Sequence, residues 1–346
     1  GTDALRLTLV VGSSPGADQN VGEKKVEANR NFANKVWNIG RFVINAVNKI
    51  DEPIVYDPKW TLADSWIWAR MKQTVNSVNG LFENYQFGEA GRQVYEFLWN
   101  DFADWYLEAS KRQLAQGGDK AAYTAIILSD VLGLMLRLLH PFTPFVTEAL
   151  YGYLKTAAVN NPVIFNPETE VAEHLMVARW PERIAEEGWE AEAIKNFELV
   201  QEIVRSIRNL RSEYKIEPNK PLGAVIVSKT RSEFLQQEKH LLYDLGGLKQ
   251  DEVEIVDSNL PNGDMTPLVV EDVEIYLDLA DSGDSEVDRQ RLEKELGEVE
   301  SHIARLEKLL LSPFAQKAPE KVVEAEREKL AGYQSSAAKL RESLEK

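Results

Sequence analysis

Three carboxylates, Asp101, Asp104 and Glu108, stand three and four residues apart, the spacing that places side chains on one face of an α-helix. Carboxylates grouped in this way can share acid–base work, provided a desolvated cleft separates their pKa values. Left in water they form a solvated acidic stripe, the simpler reading. Other chemistry-bearing residues are sparse. The 346 residues include no cysteine and only four histidines, His140, His174, His240 and His302. That composition excludes disulfides, thiolate zinc sites, iron–sulfur clusters and cysteine nucleophiles, and leaves the histidines too far apart for a local metal motif. His140 precedes Pro141 at a helix end, where a hydrogen-bonded structural histidine is expected, and His302 is expected to be solvated. Gly12-Ser13-Ser14-Pro15-Gly16 is glycine-rich, but Pro15 removes a backbone donor, so a turn is a better reading than an anion cradle. No phosphate-binding loop, dinucleotide fingerprint or nucleophile elbow occurs. No convincing catalytic site emerges.

Charge is more informative. The chain carries 56 acidic and 40 basic side chains, a net charge of −16, which excludes a wholly basic nucleic-acid-binding coat but not a local basic face. Residues 20–50 contain Lys24, Lys25, Arg30, Lys35, Arg41 and Lys49 against Glu23 and Glu27, an excess of four cations. Residues 301–341 contain Arg305, Lys308, Lys317, Lys321, Arg327, Lys329, Lys339 and Arg341 against five acids, an excess of three. Each stretch reads as an electrostatic footprint for RNA phosphates or, more plainly, as the solvated back of an amphipathic helix.

These residues must be held by elements that hydrophobic periodicity locates. Val26, Phe32, Val36, Ile39, Val43 and Val47 recur at helical spacing, as do Val94, Phe97, Leu98, Phe102 and Trp105, and Ile126, Ile127, Val131, Leu134, Leu138 and Leu139. The expected architecture is mainly α: an up-and-down bundle of about five helices over residues 1–185, with Trp37 and Trp105 in its core. Residues 186–282 read as a small α/β unit. Its helical face runs from Ile194 to Leu210, and its strands lie near 223–227, 253–256, 268–270 and 273–279. Over 283–346, Leu292, Leu296, Val299, Ile303, Leu306 and Leu310, then Leu330, Tyr333, Ala337, Leu340 and Leu344, alternate at three and four. That is a coiled-coil seam, interrupted by Ser312-Pro313-Phe314 to Pro319. An antiparallel hairpin within one chain is expected; a coiled coil between two chains is the alternative. No run is expected to reach the roughly 18 apolar residues of a membrane span.

At this point the residues resemble a known family. Gly1-Thr2-Asp3-Ala4-Leu5-Arg6, Pro15-Gly16-Ala17-Asp18 and Arg30-Asn31-Phe32-Ala33-Asn34-Lys35-Val36-Trp37-Asn38 with Arg41-Phe42 are similar to the anticodon-binding helical bundle of class I aminoacyl-tRNA synthetases. Asp104-Trp105-Tyr106-Leu107-Glu108 and His140-Pro141-Phe142-Thr143-Pro144-Phe145 resemble the same domain. Asn209-Leu210-Arg211-Ser212-Glu213 and Asn219-Lys220-Pro221 resemble its connecting α/β region. Ser312-Pro313-Phe314, Lys317 to Val323 and Glu326 to Leu330 resemble the turn of the coiled-coil arm of valyl-tRNA synthetases. The absence of cysteine sets the chain apart from bacterial isoleucyl relatives that end in a Cys-rich zinc module.

The resemblance implies a tRNA-reading, carboxy-terminal part of such an enzyme. The ATP, Mg, valine and editing sites would lie outside this chain, so the chain alone is expected to be non-catalytic and to need no cofactor. The implied partner is the tRNA for valine, neither DNA nor a membrane, and a cytoplasmic monomer is expected. Carried over position by position, Asn20, Lys24, Lys35, Phe42, Leu107 and Glu108 would meet the anticodon loop, and Arg305 and Lys329 the tRNA elbow. Phe42 would stack on a base or simply pack in the core. Glu108 would accept from the exocyclic amine of adenine or cytosine. Lys308 and Lys339 would serve the arm or only a salt-bridge face.

Overall fold

The structure, a computed structural model, describes residues 1–11, 21–50, 54–55, 59–161, 171–217, 220–258, 265–279, 285–311 and 320–345. Asn20, the Gly12 to Gly16 turn, Pro218-Asn219 and the 312–319 turn therefore lie outside the described residues. Packing divides the chain into two units, Gly1–Leu199 and Val200–Lys346.

The first unit is helical: α1 (Thr2–Val10), α2 (Glu23–Val47), α3 (Leu62–Glu83), α4 (Phe87–Glu96), α5 (Leu107–Ala115), α6 (Gly118–Leu139), α7 (Pro144–Asn160) and the start of α8 (Glu190–Glu213). Polar groups fix the helix ends. Thr61 and Asp64 form a capping box at the start of α3, satisfying backbone donors that the first turn leaves open. The buried Asp3 carboxylate accepts from Phe145 N at 3.2 Å and Val146 N at 2.7 Å, placing a negative charge at the positive end of α7. Where α2 meets α7, a Cβ on Gly40 would collide with Leu150, so glycine permits this close approach. α6 is long and apolar enough to cross a membrane, contrary to the expectation from the sequence, but 67% of that stretch is buried within the protein. It packs against α2, α3, α4, α5 and α7, and a helix with that many neighbours carries a wide apolar surface.

Between α4 and α5, Phe97–Tyr106 forms a π-helix rather than the expected continuous α-helix. Its wider i→i+5 turns accommodate five aromatic rings in ten residues and rotate everything that follows. His140 is structural, as expected: Nδ1 lies 2.8 Å from Thr147 Oγ1.

An extended pass leads to α8 and is tied to α3. Asn76 brackets Ile184 through both amide atoms, and Asn79 accepts from Trp180 Nε1. The buried Lys72 ammonium bridges Glu187 at 2.6 Å and Glu190 at 2.8 Å. Against the cost of burial, hydrogen bonds from Lys72 and from the backbone N–H groups around Glu187 hold the Glu190 carboxyl at about 2.

In the second unit, β1 (Leu222–Val227), β2 (Leu248–Val256), β3 (Thr266–Val270) and β4 (Val273–Leu277) form one sheet in the order β2-β1-β4-β3. β1 and β2 are parallel, joined through α9 (Ser232–Gly246); β1–β4 and β3–β4 are antiparallel. Leu268, Val270, Val273, Ile275 and Leu277 are buried at alternate positions, giving one core face. Gly247 ends α9 at φ 69°, and a Cβ there would stand 3.4 Å from the Arg211 guanidinium. Arg211 in turn donates to the carbonyls of Gly247, Glu217 and Lys220.

α10 (Ser285–Leu311) and α11 (Glu320–Glu345) pack on each other. Arg341 pairs with Glu300 at 2.5 Å, Gln334 donates to Glu307 at 3.3 Å, and His302 stacks on Tyr333 with centroids 5.2 Å apart. From the Arg341–Glu300 pair to the Gln334–Glu307 pair the chain advances seven residues on α10 and goes back seven on α11, so the two run antiparallel. Lys339 also pairs with Glu274 on β4.

Candidate nucleic-acid interface

Lys24, Lys35 and Phe42 are separated by eleven and seven residues, close to three and two turns of a 3.6-residue helix, and so share one face of α2 over about 27 Å. This face borders the stripe of Phe32, Val36, Ile39, Val43 and Val47, all buried. Lys24 is exposed and Phe42 half-buried, so Phe42 meets both the core and the surface.

The π-helix brings the opposite wall. Trp99 stacks against Tyr95, which stacks on Phe32, with centroids 5.9 and 4.1 Å apart. Lys35 Nζ sits 3.7 Å above the Trp99 ring, donates to Trp99 O at 3.3 Å, and pairs with Asp104 at 2.7 Å. Lys35 is therefore held by a cation–π contact and an ion pair, with 24% of its side chain exposed. Trp99 was invisible to sequence reasoning, because an α-helical register does not place it against Lys35.

The proposed single face of three carboxylates is corrected. Asp101 pairs with Arg70 of α3 at 3.0 Å, Asp104 with Lys35 of α2, and Glu108 with Lys111. The wide π turns send Asp101 and Asp104 to different neighbours, and each charge is met by its own cation. No group of three or more metal-binding side chains occurs among the described residues.

Glu108 is exposed and Lys111 donates to both its oxygens at 2.7 Å. Leu107 points inward with 7% exposure; it is packed in the core, where it anchors α5 beneath Glu108. Below them Tyr106 donates to the fully buried Asp64 at 2.8 Å, and burial first, then the Asp64 charge, pushes its phenol well above the usual range. Gln113 joins this network through Thr61 and Thr124. The pedestal under Glu108 is thus cross-linked to α3 and α6.

Beside Phe42 opens a cleft of about 590 Å³, lined by Asn45, Lys49, Lys111, Leu114 and Gly118 among others. Its lining combines apolar Phe42, Ile50 and Leu114 with Asn45 and the cations Lys49 and Lys111. Lys111, Asn45 and the glycine turn at Gly117-Gly118 carried no sequence signal for this role. Trp37 corrects another expectation: it is 36% exposed and meets Tyr153 edge to face at 6.0 Å. α2 shows that flank to α7, which covers only part of the indole. Trp105 is buried as expected, edge-on to Phe197.

The second cluster of predicted residues lies on the helix pair. From the His302–Tyr333 stack, Arg305 is three residues onward in α10 and Lys329 four residues back in α11. Because the helices are antiparallel, both displacements run the same way, about 4.5 and 6 Å. Arg305 and Lys329 therefore lie on the same side of that stack along the pair, both exposed, with Lys329 2.8 Å from Glu326.

Comparison with known proteins gives two family matches. Residues 64–226 match the anticodon-binding domain of tRNA ligase, and residues 284–346 match the valyl tRNA synthetase tRNA binding arm. The chain is 36% identical to the valine–tRNA ligase of Carboxydothermus hydrogenoformans over 96% of its own length, and 37% identical to that of Geobacillus stearothermophilus over 96%. It is 34% identical to that of Dehalococcoides mccartyi over 99%. It spans 36 to 38% of the length of these relatives.

Proposed function

As the chain belongs to the valyl-tRNA synthetase family and carries its anticodon-binding domain and tRNA-binding arm, we propose that it grips the tRNA for valine at two separate places. The observation that carries this reading is the α2 face, along which Lys24, the Lys35–Trp99 pair and Phe42 follow one another, with Phe42 sharing a cleft with Lys111, the partner of Glu108. RNA loops are read in this manner: cations meet phosphates, a flat side chain takes an unstacked base, and one or two polar groups meet base edges.

On this reading Lys24 attracts the anticodon-loop backbone and Phe42 offers a stacking surface. Glu108 accepts from a base amine. Lys35, already on Trp99 and Asp104, orients the two walls and leaves one ammonium donor for RNA. Leu107 acts from beneath, by fixing α5. Asn20 belongs to the same set by resemblance. Arg305 and Lys329, on the same side of the His302–Tyr333 stack, hold the elbow through phosphates and sugars. Ligation of valine, with its ATP and Mg, belongs in this proposal to a part of the full-length relatives outside this chain. The chain alone binds without catalysing, as a cytoplasmic monomer, and prefers folded RNA to DNA. The mutual packing of α10 and α11 favours a monomer over a coil shared between chains, since each helix already has an apolar partner.

The test is binding of the chain to tRNA for valine and to a non-cognate tRNA across a range of salt. Tighter binding of the cognate RNA, with a salt slope of several phosphate contacts, is expected. A salt slope without discrimination would reduce the function to general phosphate attraction.

A further inference from the structure

We propose that Lys111 determines anticodon specificity by exchanging partners: it masks Glu108 in the free chain and moves to an RNA phosphate when Glu108 takes a base amine. This inference rests on the reading of the α2–α5 face as the anticodon site. Lys111 Nζ donates to both oxygens of Glu108, each at 2.7 Å. The side chains of Lys111 and Glu108 are 54% and 46% exposed, so the pair is well solvated, of the kind that contributes little and separates readily. Lys111 also lines the cleft with Phe42, Asn45 and Lys49. An ammonium released from Glu108 therefore stays at the mouth of the cleft, next to a second cation.

The consequence for recognition follows from charge. A bare carboxylate at this face would repel every RNA; masked by Lys111, it does not. A loop presenting cytosine or adenine supplies an amine that replaces Lys111 on Glu108, and Lys111 is then available to a neighbouring phosphate. A loop presenting a keto group puts an acceptor where the amine would stand, which repels the carboxylate. Glu108 then keeps Lys111, and both the base contact and the phosphate contact are lost together. One base substitution thus removes two interactions, and the second is electrostatic and salt-dependent.

That last feature makes the exchange measurable. Each phosphate contact to single-stranded nucleic acid contributes about 0.7 to the slope of log K against log salt. The experiment titrates the whole chain, wild type and Lys111→Ala, with a valine anticodon stem-loop and with the same loop in which uridine replaces cytidine or inosine replaces adenosine. For the wild type, the steeper slope is expected for the amine-bearing loop, by about 0.7. For Lys111→Ala the two slopes are expected to coincide while both loops still bind. Equal slopes for both loops in the wild type would overturn the exchange and leave the anticodon reading standing, as would a slope difference that survives Lys111→Ala. Failure of the wild type to bind either loop at any salt would overturn both.

Discussion

Lys35 is held on the Trp99 ring and by Asp104, and Glu108 is held by Lys111, so each of these charged groups at the anticodon face already has a partner that RNA must share or displace. The resemblance places Lys35 at the anticodon loop; in the structure it rests on Trp99 and Asp104, contacts that depend on a π-helix no periodicity announces. Leu107 and Glu108 are neighbours in sequence yet face opposite ways, one into the core and one into solvent, so a motif that quotes both overstates the readable surface by one residue. Two predictions belong here. Phe42→Ala should weaken binding of an anticodon stem-loop by about 1–3 kcal/mol, the stacking contribution of one base, in an equilibrium titration at a temperature where the variant stays folded, since the lost core contact also lowers the melting temperature. Glu108→Ala should weaken the cognate loop more than a loop changed at the amine-bearing base, removing about 1–3 kcal/mol of discrimination. Equal loss for both loops would take Glu108 out of the readout.

At the scale of elements, α2, α6, α8, the four strands and the two long terminal helices follow from apolar spacing and from Pro and Gly punctuation, but α1 and α3 do not, and the first unit has more helices among the described residues than the expected five. Nor does the strand order follow, because β1 pairs in parallel with β2 and antiparallel with β4, a choice made by packing between segments distant in sequence. The aromatic run 97–106 was read as α because its apolar residues recur at three and four, and the bulk that widens the turns has no period. Gly40 tests the α2–α7 contact: Gly40→Ala should overpack against Leu150 and cost about 1–3 kcal/mol, read as a lowered midpoint in denaturant. The tie of the extended pass to α3 is sensitive to acid. Glu190 lies at about 2 in the folded chain, below its ordinary 4.5, so its contribution is present above about 4.5 and is lost as pH falls towards 2. Glu190→Gln should lower the thermal midpoint at pH 7 and flatten its fall between pH 5 and 2. An unchanged acid limb would show that other carboxylates govern it.

At the scale of the whole molecule, the net charge of −16 makes the placement of its cations meaningful, for RNA meets attraction only where they gather. The two gatherings, on α2 with α5 and at Arg305 and Lys329, belong to different units and on this account meet different parts of one ligand. Replacing both Arg305 and Lys329 with Ala should reduce affinity for intact tRNA and leave an isolated anticodon stem-loop unaffected, as measured by competition with the two ligands. The most direct measurement of the central claim is a footprint of the tRNA sugar–phosphate backbone in complex with the chain. The account predicts two protected patches, the anticodon loop and the elbow, with the second lost in the Arg305→Ala, Lys329→Ala double variant and the first retained. Uniform protection along the RNA, or protection of only one patch by the wild type, would contradict it.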